Sequence, residues 1–366
     1  MKYSILLNAA AVACCWLAVC AQASEVQVTD AAKELQTLEQ QFKADRQPRK
    51  FVASFIELAR QQPSEPEAVV ALIWVLRHYQ RGPEAEQALE LLAKDHAGSD
   101  QLQAVFQRIG RNPSLSVAQL YRAALKANQD SEIQAHACMR LTEYLMRQLQ
   151  LKEELADDQR KIERYEQFMG KIIVDHVRGL KPAEVLQEGE SLCRRVLTEF
   201  ADLKTFQGRM GDVAERELFR IQHLSIGQPV ADIRGEDVSG KAMNLADYRG
   251  KVIVVDFWAD WCINCRMMYT SNRELVQKMT GKPFVLLGVN SDRNRLQTLR
   301  VIRTQGINWR SWWDGGTTRG PIATRWNIET WPAIYVIDHQ GVIRYKNLKG
   351  PELLKAVEQL LSEVEP

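Results

Sequence analysis

The sequence predicts an all-α N-terminal region followed by an α/β domain whose sheet carries helices on both faces. Three observations predict it. From about Thr29 to Ile221 apolar residues recur at three- and four-residue spacing. From Gly227-Gln228-Pro229 onward, short apolar runs of strand length alternate with helical segments. A Cys-x-x-Cys pair, Cys262 and Cys265, stands where one such strand gives way to a helix. At 366 residues the chain exceeds the roughly 100–200 residues of one domain, so at least two folding units are expected. A 45% hydrophobic and 26% charged composition is that of a globular chain able to bury a core. Net charge is +2 with no long basic run, which argues against nucleic acid as a partner because phosphate binding needs a concentrated positive face.

The first element reads as a signal peptide over residues 1–23. Lys2 gives a positive start, Ile5 to Val19 is mostly small and apolar, and Ala21-Gln22-Ala23 fits a small-x-small cleavage site before Ser24. The apolar stretch is shorter than the ~20 residues a membrane-spanning helix needs. The chain is therefore expected to be exported, to the periplasm. A lipoprotein signal acylated at Cys20 is the alternative, which bulky Val19 fits poorly. Cys14, Cys15 and Cys20 leave with the signal, and Cys138, Cys193, Cys262 and Cys265 remain in an oxidising compartment.

Residues 24–222 form the helical domain. Phe51, Phe55, Leu58 and Ala59, or Leu141, Leu145 and Leu149, mark single helix faces. Pro63, Pro66, Pro83, Gly98, Gly110, Pro113, Gly179 and Pro182 punctuate the run, and strands are not expected within it. The pattern suggests stacked helical hairpins, loosely like tetratricopeptide arrays but without a clean 34-residue period, serving as scaffold or as a concave partner-binding face. Cys138 and Cys193 lie on predicted helices, as two buried small hydrophobes or as one structural disulfide.

Residues 223–366 form the α/β domain. Val252–Trp258 is an apolar run befitting a buried strand, and Pro283–Val289 is a second. Ala333–Ile337 and Val342–Tyr345 flank Asp338-His339-Gln340-Gly341, a hairpin signal with glycine available for positive φ. Helices are expected near Cys265–Met279, Arg295–Gln305 and Pro351–Val364. Trp309, Trp312, Trp313 and Trp326 read as packing residues.

A Cys-x-x-Cys between a buried strand and a helix suits redox chemistry. The first cysteine caps the helix, where unpaired N–H groups and the helix dipole stabilise a thiolate. The second lies on the same turn and can resolve a mixed disulfide. A zinc site would want two further Cys or His ligands, which Cys138 and Cys193 do not supply at metal-type spacing. No metal or cofactor is implied.

Residues 228–366 resemble the thioredoxin superfamily, specifically the TlpA/ResA-like exported redoxins. The resemblance rests on Val255-Asp256-Phe257-Trp258-Ala259-Asp260-Trp261-Cys262 through Cys265, on Gly288-Val289-Asn290-Ser291-Asp292 and on Trp331-Pro332. Pro229, Ala231, Asp232, Ile233 and Leu245–Lys251 match the family's N-terminal lead-in. The resemblance implies a thioredoxin-like fold, with Cys262 as nucleophile, Cys265 as resolving cysteine, Asp256 as the buried acid and Pro332 as the cis-proline facing the disulfide. Asp256 is then either the proton acceptor for Cys265 or a hydrogen-bonded core aspartate. The position of thioredoxin's nearby lysine is taken by Gly288. Trp261, Trp331 and Pro332 are the expected substrate-contacting residues, with Trp331 crowding the disulfide. Ile263-Asn264 replaces the commoner Gly-Pro and tunes the potential.

The expected activity is thiol–disulfide exchange, as a reductant of cysteine-containing exported proteins fed by a membrane or periplasmic thiol donor. A helical interaction scaffold bearing a redox-sensing redoxin is the alternative. A peroxidase would want a Pro-x-x-x-Thr/Ser-x-x-Cys lead-in, whereas Trp258-Ala259-Asp260-Trp261 precedes Cys262.

Overall fold

Proline at a helix's first turn gives up an N–H that has no partner there, and this chain starts helix after helix that way. The computed structural model describes residues 29–156, 158–205 and 208–364. The signal-peptide reading of residues 1–23, with Cys14, Cys15 and Cys20, lies outside them. The chain divides into two compact units, 1–109 and 110–366.

In the first unit, α1 (Asp30–Asp45), α2 (Val52–Gln61), α3 (Pro66–His78), α4 (Pro83–Asp95) and α5 (Leu102–Ile109) pack through their apolar faces. Phe55 stacks on Trp74 at 3.9 Å between centroids, and Phe42 meets the same indole edge-on at 5.0 Å.

The second unit begins with α6 (Leu115–Ala127), α7 (Ser131–Leu155), α8 (Gln159–Met169), α9 (Lys171–Gly179) and α10 (Pro182–Glu199). Asp130 caps α7 by accepting from Glu132 and Ile133 N–H. Contrary to the strand-free expectation, a minimal hairpin of β1 (Lys204–Thr205) and β2 (Gly208–Arg209) precedes α11 (Met210–His223). Gly189 lets α7, α10 and α11 approach closely: a Cβ there would stand 3.2 Å from both Ile221 Cδ1 and Met146 Cε.

After His223 the texture changes as the sequence predicts. A hairpin of β3 (Arg234–Glu236) and β4 (Ala242–Asn244) leads into β5 (Val252–Trp258), α12 (Ile263–Met267), α13 (Tyr269–Lys278), β6 (Phe284–Asn290) and α14 (Arg295–Thr304). Then come β7 (Ser311–Trp313), α15 (Pro321–Arg325), β8 (Ala333–Ile337), β9 (Ile343–Lys346) and α16 (Gly350–Ser362). The sheet runs β7-β6-β5-β8-β9, with β5 parallel to β6 and antiparallel to β8. All seven residues of β5 are buried, because both faces of this central strand are covered. Val252, Val254 and Trp258 point to the α12, α13 and α16 side, with Met268, Leu275 and Val357. Ile253, Val255 and Phe257 point to the other, with Ile233, Met243, Trp312 and Trp326. Trp309, Trp312 and Trp326 are buried, in keeping with a packing role. Gly341 takes φ +86° in the β8–β9 turn, and Asp338 Oδ1 accepts from Gln340 and Val342 N–H.

Candidate redox site

Alternation along β5 decides what reaches the site. Asp256 shares its face with Val254 and Trp258, in the layer that contains both cysteines. Beyond Trp258 the chain turns, and two bonds tie the turn to the end of β6: Ser291 N–H donates to Trp258 O at 3.0 Å, and Asp260 N–H to Asp292 Oδ1 at 2.8 Å. Trp258 Nε1 donates to Ser311 Oγ at 3.1 Å. The turn therefore delivers Cys262 to the N-cap of α12.

Cys262 and Cys265 are joined as a disulfide, with Cα atoms 5.2 Å apart. Cys262 Sγ also accepts from Cys265 N–H at 3.2 Å, so the capping position expected of the first sulfur is occupied. Cys262 keeps 7% of its surface and Cys265 3%, a difference in the direction expected of an attacking and a resolving thiol, though both are buried in the bonded pair.

Around the disulfide stand three exposed apolar side chains: Trp261 (51%), Ile263 (66%) and Met267 (69%). Ile263 and Met267 lie four apart on α12, on one outward face. Sequence reading missed Met267; the signal was its i+4 spacing from Ile263 on the helix the cysteines open. Trp261 Nε1 donates to Ser291 O at 3.3 Å, and its ring lies 5.8 Å from that of Trp331. The Trp331–Pro332 bond is cis. Trp331 packs against the core that contains both cysteines, and Pro332 is buried. The structure thus brings together Trp261, Trp331 and the disulfide. A cavity of about 660 Å³ is lined by Trp261 together with Asp260, Arg266, Asp292, Arg293 and Gln297.

Asp256 is buried, and burial pushes its carboxyl up to about 7, opposed by the hydrogen bond from Asn272 and the charge of Lys349. Asn272 Nδ2 donates to Oδ2 at 3.1 Å. Its other oxygen, Oδ1, is buried without a partner. Gly288 pairs with Asp256 across β5 and β6. A Cβ at 288 would come within 2.3 Å of Ser311 Oγ and 2.5 Å of Trp258 Nε1, so no side chain, lysine included, fits there.

Cys138 and Cys193 are both free and fully buried on α7 and α10. Burial pushes the first thiol up to about 11 and the second up to about 12, which makes them poor nucleophiles. Of the two readings left open by the sequence, the structure has the unbonded one.

The AhpC/TSA family matches residues 226–346. A thiol-disulfide oxidoreductase ResA from Bacillus cereus is 22% identical over 173 residues, 47% of this chain and 98% of its own. A thiol:disulfide interchange protein DsbE from Yersinia pestis is 29% identical over 131 residues, 35% of this chain and 66% of its own. The solved thioredoxin domain of a thiol-disulfide oxidoreductase from Bacteroides vulgatus is 26% identical, covering 37% of this chain and 98% of that domain, with a TM-score of 0.35.

Proposed function

We propose that the chain is a thioredoxin-like thiol–disulfide oxidoreductase that works through Cys262 and Cys265 as an exported reductant of protein disulfides, a reading supported by the match of residues 226–346 to the AhpC/TSA family and by the likeness to thiol-disulfide oxidoreductases. The observation that carries the reading is the bonded pair at the start of α12, set in an apolar collar beside the Trp331–Pro332 loop.

The dithiol form does the work. The Cys262 thiolate attacks one sulfur of a client disulfide, and the other client sulfur leaves as a thiolate. Cys265 passes its proton to Asp256 and attacks Cys262, which re-forms the Cys262–Cys265 bond and releases the client as a dithiol. A membrane or periplasmic thiol donor then returns the pair to the reduced state. Trp261, Trp331 and Pro332 form the wall against which an extended client segment lies, and the exposed apolar collar favours a client whose cysteine is flanked by apolar residues. Residues 1–23 direct export, and the helical domain, residues 24–222, presents hairpins to a partner. Among the described residues no helix is long and apolar enough to cross a membrane. A peroxidase reading lacks the proline and threonine or serine it would want before Cys262.

Insulin-disulfide reduction by wild type and by Cys262→Ser tests the assignment. The wild type should reduce insulin and the variant should not. Equal rates would remove the pair from the reaction.

A further inference from the structure

A buried acid needs something to hold its charge when it has just lost, or is about to take, a proton. For Asp256 no cation fits on the neighbouring strand, because Gly288 stands opposite it and its Cα hydrogens already face Ser311 and the Trp258 indole. The antiparallel neighbour on β8 is Ile334, which is apolar. The donor comes instead from α13, where Asn272 is 2% exposed and bonds Oδ2 at 3.1 Å. A cavity of about 300 Å³ between α13 and α16 is lined by Asn272 together with Ser271, Glu274, Lys278, Gly350 and Leu353. One side chain therefore touches both the buried carboxylate and a cavity that carries charged groups.

We infer that Asn272 is the positioning residue of the proton-transfer step: its amide holds Asp256 Oδ2, which leaves Oδ1 as the oxygen that receives the Cys265 proton. The inference rests on the reading of Asp256 as the proton acceptor. The step balances as follows. The S–H bond of Cys265 breaks and an O–H bond forms at Asp256 Oδ1. The Cys265 sulfur then attacks the Cys262 sulfur of the mixed disulfide, the Cys262–Cys265 bond forms, and the bond to the client sulfur breaks with its electron pair going to the client. Enzyme dithiol is oxidised and client disulfide is reduced. An amide donor to one oxygen favours the carboxylate over the acid, so it keeps Asp256 able to accept a proton in a site where burial alone favours the protonated form.

The other groups facing Asp256 do not replace this donor. Lys349, before α16, lowers its proton affinity through its charge. Tyr269 on α13 feels the Asp256 charge but turns its hydroxyl to Asp260 Oδ1 at 3.4 Å. Cys262 and Cys265 on α12 are the reacting groups. Glu274 and Lys278 line the cavity beyond Asn272. Asn272→Leu keeps a side chain branched at Cγ and removes the donor.

The test follows the resolving step in single turnover on the full chain, from a preformed mixed disulfide between Cys262 and a thionitrobenzoate leaving group, across pH. In wild type the rate should rise with pH through a step near Asp256's proton affinity. In Asn272→Leu the midpoint should move upward by about one pH unit, as loss of one charge-assisted hydrogen bond requires, while the rate of attack by Cys262 stays unchanged. A midpoint at the wild-type pH in Asn272→Leu, with the step abolished in Asp256→Asn, would overturn the role of Asn272 and leave that of Asp256 standing. A step that persists in Asp256→Asn would remove both. Should Asn272→Leu not fold, the wild type decides: with selective ¹⁵N-asparagine labelling of the reduced chain, the Asn272 side-chain amide resonance should titrate with the kinetic midpoint. An amide resonance that does not move with pH would overturn the inference.

Discussion

We propose that Asp256, Cys262 and Cys265 act as a set, each in an environment suited to a different task. Cys262 caps a helix and is the less buried residue of the pair, so its replacement by serine should abolish attack on a disulfide. Cys265→Ser should still attack and then stall as a mixed disulfide, visible as a mass increment on the intact protein. Asp256→Asn should slow resolution more than attack. Its effect on stability has a definite sign. The folded-state value, about 7, lies above the ordinary 3.8, so the folded chain binds a proton that the unfolded chain has lost between those pH values. Stability attributable to this group therefore falls as pH rises from about 4 to about 7, by up to ~1.4 kcal/mol per pH unit. Asp256→Asn should be more stable than wild type at pH 8 and nearly equal at pH 4, read from thermal unfolding at both. A difference that is the same at both pH values would contradict a buried, proton-binding Asp256. Cys138 and Cys193 should resist iodoacetamide in the native reduced protein and react after unfolding, because burial keeps their thiols protonated and out of reach.

At the scale of elements, much of the α/β part is legible in the sequence. Val252–Trp258 is a strand buried on both faces, and a run with no polar alternation except Asp256 announces that. The pair of cysteines follows it in the sequence and in space. The helix expected over Cys265–Met279 begins two residues earlier, at Ile263, because Cys262 itself is the cap. The Ser311–Trp313 strand was not legible: it is three residues long, and its pairing with the end of β6 is a long-range contact that no local pattern encodes. Asn272 was missed for a related reason. It sits on the apolar stripe of Met268, Tyr269, Leu275 and Met279, and a polar residue on such a stripe is the available signal, but its partner lies on another element. Gly288 reads differently once packing is known: it is a steric requirement of the Trp258–Ser311 hydrogen bond. Gly288→Ala should destabilise the fold by about 1–3 kcal/mol through overpacking, checked by chemical denaturation. An unchanged midpoint would mean that the sheet yields at no cost.

For the whole molecule, the change of texture near residue 223 marks the end of the last helix before the sheet, while the helices from Leu115 onward share a compact unit with it. Phe219, on α11, packs against the face of the sheet that carries Ile253, Val255 and Phe257, and Lys346 on β9 is half-buried with Glu153 and Arg220 as its charged neighbours. We propose that a fragment from Leu224 onward folds, since every strand of the five-stranded sheet and the helices α12 to α16 lie downstream, and that it melts at a lower temperature than the full chain because the part of the sheet that Phe219 covers is left open. Circular dichroism of the fragment and the full chain checks both statements, and an unfolded fragment would place the folding boundary upstream of α11. We propose that one sulfur of the pair attacks and the other resolves. The measurement that bears on it most directly is peptide mapping by mass spectrometry of the adduct formed when reduced Cys265→Ser and reduced Cys262→Ser are each mixed briefly with insulin at neutral pH. An insulin peptide should be linked to Cys262 in the first variant, with no adduct in the second; an adduct through Cys265, formed as fast as the one through Cys262, would contradict this division.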